Sequence, residues 1–138
     1  MTHELESIFI LIHPPLAILG YMFTFIAAKK MGQLIAGKKE KKNRKMDLKI
    51  SLTIAFWLTF AGLVTGMIWA KIAWGKFWSW DPKETATLAI FVTLALIYLM
   101  HLRKVNIKVQ GIYMLINLLC IIGTISITFI GLGLHAFG

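Results

Sequence analysis

The densest group of chemically distinctive residues is the segment WGKFWSWDPKE at positions 74–84. It holds three of the five tryptophans, and an interfacial aromatic belt would account for tryptophans alone. The residues that follow them, DPKE at 81–84, have the pattern of an N-cap, a proline at the first helical position and a glutamate at the third, so a helix is predicted to begin abruptly there. If the preceding helix continued to about Trp78, then Trp74 and Trp78 would share one helical face. The segment predicts an aromatic shelf beside a capped helix.

Such a shelf would suit a planar, apolar ring that carries anionic groups, because indole faces pack against flat rings and ammonium groups bind carboxylates. Phe77 and Trp80 would extend the shelf made by Trp74 and Trp78. Three basic residues lie close by in the sequence: Lys71, Lys76 and Lys83. The segment is therefore predicted to bind a flat, partly apolar molecule with carboxylate groups.

Two of the four histidines are candidate metal ligands. His13 precedes two prolines near the start of the first apolar stretch, and His135 follows GLGL near the end of the last. The other two have simpler interpretations: His3 is in a terminal segment, and His101 is at a helix end, where the helix dipole favours a partial positive charge. His13 and His135 are predicted to share one membrane side with the tryptophan segment and to act together.

Two imidazoles from opposite sides suit heme iron, for which imidazole is a common axial ligand. A zinc site normally needs three or four protein ligands, whereas this side offers two histidines and scattered carboxylates. The lone Cys120 allows neither an intrachain disulfide nor a CxxCH heme-attachment motif. The residues therefore favour a non-covalently bound heme b with bis-histidine ligation by His13 and His135.

The composition indicates that these residues are positioned by helices that span a membrane. Hydrophobic residues make up 58% of the chain and charged residues 15%, and the mean hydropathy is +0.74. Four stretches are long and apolar enough, or nearly so, to span a bilayer: 8–28, 50–71, 84–101 and 111–134. We predict an all-α integral membrane bundle of four transmembrane helices, with residues 1–138 forming one domain.

The distribution of charge predicts the orientation of this bundle. Nine of the fifteen basic residues lie in the loop 29–49, and three more lie in 102–110. Because cytoplasmic loops carry an excess of Lys and Arg, both segments are predicted to be cytoplasmic, and the net charge of +9 indicates topology rather than nucleic-acid binding. Both termini and the tryptophan-rich loop 71–84 would then be extracytoplasmic in a multi-pass plasma-membrane protein. The start of the chain lacks the basic region of a signal peptide, so the first span is expected to insert directly.

Small and polar residues inside the spans predict helix contacts. Gly62 and Gly66 form a GxxxG pattern, which would let another helix approach closely. Polar side chains of the fourth span are predicted to face other helices, because lipid offers them no hydrogen-bond partner. These residues are Asn117, Thr124, Ser126 and Thr128.

Taken together, these residues resemble the WWD-domain heme-handling proteins of cytochrome c biogenesis, especially the Ccs-type synthetase subunit and its Ccm-type relatives. The segment 74–85 is similar to that family's WGxxWxWDPKE signature at nearly every fixed position. HPPL from His13 is like the family's histidine before the signature, and GLGLHAFG at 131–138 is similar to its GxGLHSYG ending. The resemblance spans nearly the whole chain.

The resemblance implies a role for each matching position. His13 and His135 would be axial ligands of a heme displayed on the extracytoplasmic side. The residues that would contact the heme are Trp74, Trp78, Trp80 and Asp81. The resemblance further implies delivery of heme to apocytochrome c, whose CxxCH thiols add to the vinyl groups, as a component of a holocytochrome c synthase (heme lyase). Family members are usually longer, so this chain is expected to work as a homo-oligomer or with an additional membrane subunit.

Three functions are open from the sequence. The leading hypothesis is that the chain binds heme at the extracytoplasmic face and presents or delivers it for cytochrome c maturation, where catalysis would consist of positioning. An alternative is a heme-b electron-transfer subunit of a larger membrane complex with the same ligands. A third is a structural four-helix subunit whose tryptophans form only an interfacial belt.

Overall fold

The computed structural model describes the backbone of residues 2–37 and 44–137 and the side chains of residues 8–9, 11–37 and 46–130. Within these ranges the chain forms four α-helices and no strand. The helices are α1 (Thr2–Ile35), α2 (Arg44–Trp74), α3 (Pro82–Leu102) and α4 (Ile107–Phe137). The predicted all-α fold of four long helices is confirmed.

Each helix contains a segment long and apolar enough to cross a membrane. These segments are Leu11–Ile35, Met46–Trp74, Pro82–Leu102 and Ile107–Ile130. The helices run past the predicted spans, most of all at the end of α1 and the start of α2, because Lys, Gln and Met propagate a helix well even where an apolar run ends. The chain is therefore a multi-pass membrane protein whose basic segment 29–49 is helical at both ends, while residues 38–43 lie outside the described residues.

The helices pack as two antiparallel hairpins. α1 packs mainly against α2, and α3 mainly against α4, whereas the α2–α3 and α1–α4 contacts are smaller. Phe56 on α2 packs against Phe91 and Tyr98 on α3, with ring centroids 5.5 and 5.3 Å apart. The start of α1, the α2–α3 loop and the end of α4 consequently lie at one end of the bundle, which we call the tryptophan end.

The packed core lies in the half of the bundle away from the tryptophan end. All four helices contribute to it, and close packing of helices against one another is what holds a bundle together in lipid. Its buried members are Ala27, Met31, Leu48, Leu52, Ala55, Leu94, Ile97 and Met114. Towards the tryptophan end the helices instead carry glycine, threonine and tryptophan at their contacts and enclose two cavities.

Polar residues of α4 confirm three of the four predicted helix-facing positions. Asn117 is fully buried, and its Nδ2 donates to the Ile90 carbonyl and to Thr93 Oγ1, both at 2.8 Å. Thr124 is buried and Thr128 is half-buried. These positions repeat with helical spacing on one face of α4. The prediction was wrong for Ser126, which is exposed because it lies two residues after Thr124 and so points to the opposite side of the helix.

Replacing Asn117 by alanine is expected to weaken the α3–α4 hairpin. Interhelical hydrogen bonds in membrane proteins contribute roughly 0.6–1.7 kcal/mol, so Asn117→Ala should lower the free energy of unfolding by about 1 kcal/mol. The neighbouring Ile116 faces outward, and Ile116→Ala is a matched control that should change stability little. Unfolding in detergent, followed by circular dichroism, measures both; equal effects would contradict the assignment.

Candidate cofactor-binding site

The imidazole of His13 is held in one orientation by α2. Its Nδ1 lies 2.7 Å from the carbonyl oxygen of Gly62. A carbonyl only accepts hydrogen bonds, so Nδ1 carries the proton and donates it, and the other ring nitrogen, Nε2, keeps its lone pair. Among the described residues Nε2 has no hydrogen-bond partner. The half-buried ring is therefore fixed in the tautomer that can bind a metal through Nε2.

Both glycines of the GxxxG pair lie against α1, and Gly66 leaves the space that the His13 ring occupies. A methyl group at Gly66 would lie 2.9 Å from Cε1 of His13 and 3.2 Å from Nδ1, which is too close for the ring to stay in place. A methyl group at Gly62 would lie 3.5 Å from the backbone nitrogen of Ala17, an ordinary contact. The predicted helix contact at this pair is confirmed. The sequence did not indicate that Gly66 leaves space for the histidine ring, or that Gly62 is its hydrogen-bond acceptor.

The tryptophan loop, residues 75–81, follows directly on α2, which ends at Trp74 rather than near Trp78. Gly75, with φ +80°, turns the chain out of the helix, and Trp80 has φ 58°, an uncommon conformation for a large side chain. Trp74 and Trp78 therefore do not share a helical face, and the condition for a shelf on one helix is not met. The aromatic residues instead lie on two elements, the end of α2 and the loop.

Two edge-to-face indole pairs order these aromatic residues. Trp69 and Trp74 have ring centroids 4.9 Å apart with planes at 76°, and Trp78 and Trp80 have centroids 5.4 Å apart with planes at 87°. Lys71 closes the end of α2, because its Nζ donates to the Gly75 carbonyl at 3.0 Å and lies 5.5 Å from the ring centroid of Phe77. The loop is thus built around aromatic contacts on both sides of Gly75.

The predicted start of α3 is confirmed in detail. Asp81 is the N-cap, Pro82 opens the helix, and Asp81 Oδ1 accepts from the backbone N–H of Glu84 at 2.7 Å. Glu84 in turn accepts from the backbone N–H of Ser79 at 2.7 Å and from its hydroxyl at 3.2 Å. In a capping box the glutamate would reach the N-cap residue itself, whereas here it reaches back into the loop and fixes the approach to the helix.

A cavity of about 230 Å³ lies between His13 and the tryptophan loop. Six of the predicted site residues line it, namely His13, Trp74, Phe77, Trp78, Asp81 and Lys83. Lys76 and Trp80 do not line it, although the Trp80 ring packs edge-to-face against the ring of Trp78. α4 continues through position 135, but the side chain of His135 lies outside the described residues.

Sequence reasoning missed the part of the cavity that α2 provides. The missed residues of α2 are Leu63, Gly66, Met67, Trp69 and Ala70. Most of them recur three or four residues apart and lead to Trp74, so the helical periodicity of one face would have identified them. Phe9 and Pro14 on α1 complete the apolar wall.

Two indole N–H groups at the cavity have no acceptor in the part of the chain that the structure describes. They belong to Trp69 and Trp78, and both nitrogen atoms are buried. A buried donor without a partner is costly, and in native proteins it commonly marks a place where a water or ligand completes the hydrogen bonding. The cavity therefore combines an oriented imidazole, aromatic walls and a lysine, and two unused hydrogen-bond donors are buried within its aromatic walls.

Comparison with known proteins identifies the family of the chain. The family model described as cytochrome C assembly protein matches residues 1–135. The chain belongs to this cytochrome c assembly family. The match agrees with the resemblance seen in the sequence at the level of cytochrome c biogenesis.

Several curated relatives of this chain are named cytochrome c biogenesis protein CcsA. One from Prochlorococcus marinus subsp. pastoris is 37% identical over 95 residues, which cover 64% of this chain and 29% of the relative. One from another Prochlorococcus marinus strain is 39% identical over 90 residues, with 64% and 28% covered. One from a Synechococcus species is 34% identical over 95 residues, with 64% and 29% covered. The chain thus spans less than a third of the length of these relatives, and no solved structure matches it.

The capping interaction predicts different effects for two substitutions at Asp81. Asp81→Ala removes the acceptor for the Glu84 N–H and should destabilise the start of α3 by about 1 kcal/mol. Asp81→Asn keeps a side-chain oxygen and, since Asn and Asp are similar N-caps, should cost much less. Thermal unfolding together with the fluorescence of the loop tryptophans measures the effect. If both substitutions were equally damaging, the charge of Asp81 rather than its capping would be what matters.

Proposed function

We propose that this chain binds heme b in the cavity of the tryptophan end, with His13 as an axial ligand, and presents it for cytochrome c assembly. The observation that carries the proposal is the fixed imidazole: His13 Nδ1 donates to Gly62 at 2.7 Å, and Nε2 is left with its lone pair. Histidines that bind metals typically donate their other ring N–H to a carbonyl or carboxylate, which orients the ring and fixes the tautomer.

The chemistry of the lining fits an iron porphyrin. Iron in a porphyrin needs only one or two protein ligands, whereas a zinc site needs three or four. The described residues contain no group of three or more His, Cys, Asp or Glu side chains that could hold a metal ion. Trp74, Phe77 and Trp78 offer apolar aromatic surface for a macrocycle, and Lys83 offers a cation for carboxylates.

His135 is the proposed second ligand. Thr124 and Thr128 of α4 line a cavity that His13 also lines, so α4 reaches the neighbourhood of this histidine. Position 135 is about two helical turns farther along α4, in the direction of the tryptophan end. Together with the sequence resemblance, this supports bis-histidine ligation by two helices that lie far apart in sequence.

The proposed contribution of the protein to cytochrome c assembly is positioning. A bound heme supplies vinyl groups that can accept cysteine thiols of an apocytochrome c. In this chain, His13 would orient the ring and the tryptophans would shield one of its surfaces. The half-exposed loop, with Phe77 50% and Trp80 67% exposed, would leave an approach for the acceptor protein. Holding two reactants in register lowers the entropic part of a barrier without any nucleophile from the scaffold.

The membrane orientation belongs to the same proposal. The basic segments 29–49 and 102–110 support a cytoplasmic location for the end with the packed core. The tryptophan end and both termini would then be on the extracytoplasmic face of the plasma membrane, where c-type cytochromes would be met. Since the chain spans less than a third of the length of its curated relatives, we propose that a second copy or another membrane subunit completes the cytochrome c assembly complex.

Heme titration of the purified protein in nanodiscs tests the ligand. The wild-type chain should show a Soret band typical of a histidine-ligated heme, and His13→Ala should lower the affinity at least about tenfold, or about 1.4 kcal/mol. Because the substitution leaves a space of the size of imidazole, added free imidazole should restore the spectrum.

His101→Ala is the matched control for that titration. This histidine lies at the other end of the bundle, where its Nδ1 pairs with Gln110 Oε1 at 3.0 Å, and its loss should leave heme binding unchanged. His135→Ala should convert a six-coordinate low-spin heme into a five-coordinate one. An unchanged spectrum and affinity in His13→Ala would overturn the proposal.

The two glycines of α2 allow a sharper test of whether the position of the His13 ring controls heme binding. Gly66→Ala places a methyl group 2.9 Å from His13 Cε1 and should displace the ring, at a cost of roughly 1–3 kcal/mol in heme-binding free energy. Gly62→Ala adds the same methyl group one turn away at an ordinary 3.5 Å contact and should bind heme nearly as the wild type does. Comparable affinities for both variants would show that the position of His13 does not control binding.

A further inference from the structure

A second cavity lies on the bundle side of His13, away from the tryptophan loop. It has a volume of about 400 Å³ and receives residues from all four helices. His13, Leu63, Lys83 and Thr87 line both cavities, so the two spaces adjoin at the histidine. The interior cavity lies within the membrane-spanning part of the bundle, where lipid offers no hydrogen bonds.

The lining of the interior cavity carries hydroxyl groups from all four helices. Thr87, Thr124 and Thr128 donate their own protons to carbonyls of the preceding helical turn, at 2.8, 2.9 and 2.9 Å. Their oxygens therefore remain available only as acceptors. Tyr21, on α1, contributes a hydroxyl that makes no hydrogen bond to any described residue.

The charge of Lys83 adds to this polar lining. Its side chain lies at the junction of the two cavities, and Thr87, one turn farther along α3, lies beside the same junction. Lys83 itself is exposed, so the junction opens to the outside at the tryptophan end and water can enter there. A hydrocarbon chain in the cavity would leave the Tyr21 hydroxyl and the buried Thr59 hydroxyl, which has no partner among the described residues, without a hydrogen bond.

We infer that the interior cavity is a hydrated site, filled by ordered water that bridges the Tyr21 hydroxyl and the threonine oxygens and reaches the bundle side of His13. Water is the ligand because it both donates and accepts, and because the site is large enough and offers several polar partners. The hydration extends along α4 as far as Thr124, well inside the span. Water therefore reaches His13 from inside the bundle as well as from the open loop.

Cysteine accessibility in membrane vesicles tests this inference without any heme. In a Cys120→Ser background, single cysteines are introduced by Thr124→Cys at the cavity and by Ile122→Cys on the outer face of the same helix, 54% exposed and at nearly the same depth. The probe is methanethiosulfonate ethylammonium, which reacts with thiolates, and thiolates form only where water reaches. Thr124→Cys should react at least about tenfold faster than Ile122→Cys.

The outcome separates a hydrated cavity from a dry or lipid-filled one. Equal, slow labelling at both positions would overturn the inference. If Thr124→Cys is not folded by circular dichroism, Thr128→Cys, one turn closer to the tryptophan end, takes its place under the same criterion. Labelling is measured on protein without heme. A negative labelling result would therefore leave the proposed heme site untouched, and a negative heme titration would leave the hydrated cavity untouched.

Discussion

The hydrogen bond from His13 to the Gly62 carbonyl is the interaction on which the geometry of the site depends. It joins α1 to α2 and determines which ring nitrogen carries the proton. It also holds the ring so close to Gly66 that a methyl group there would clash with it. A backbone carbonyl of a helix can serve as such an acceptor only if the neighbouring helix comes very close. The absence of a side chain at Gly66 leaves the space that the imidazole occupies in that approach.

The bundle divides into a packed half and an open half, and this division explains how a small membrane domain can carry a site. Leucine, isoleucine, methionine and alanine from all four helices fill the half away from the tryptophan end. Asn117 adds hydrogen bonds between α3 and α4 near the middle. Because stability comes from that half, the other half can hold glycines, hydroxyls and cavities that would otherwise weaken the fold. His13 lies between the two cavities of the open half.

The sequence predicted the number and type of helices because the length of an apolar segment is what identifies a membrane-spanning helix. It predicted the cap at Asp81 because capping depends on neighbouring residues alone. It predicted the loop residues that line the cavity for the same local reason, since they lie within one segment of the chain. It did not predict the end of α2 at Trp74, which depends on Gly75 adopting φ +80°. Nor did it predict Trp69 or the role of Gly66, which follow from the rotation of α2 against α1 and so from tertiary packing.

The tryptophan loop owes its shape chiefly to contacts within itself and with the helix ends beside it. Lys71 binds Gly75 at one end, Glu84 binds Ser79 at the other, and Asp81 begins α3 between them. These short-range contacts fix the backbone while Trp74, Phe77 and Trp80 stay largely exposed. Exposed aromatic groups on a fixed backbone can contact a flat ligand without first losing much conformational freedom, and that lowers the entropic cost of binding. The loop is therefore preorganised at the edge of the cavity by its own sequence, whereas the imidazole opposite it is positioned by the packing of two helices.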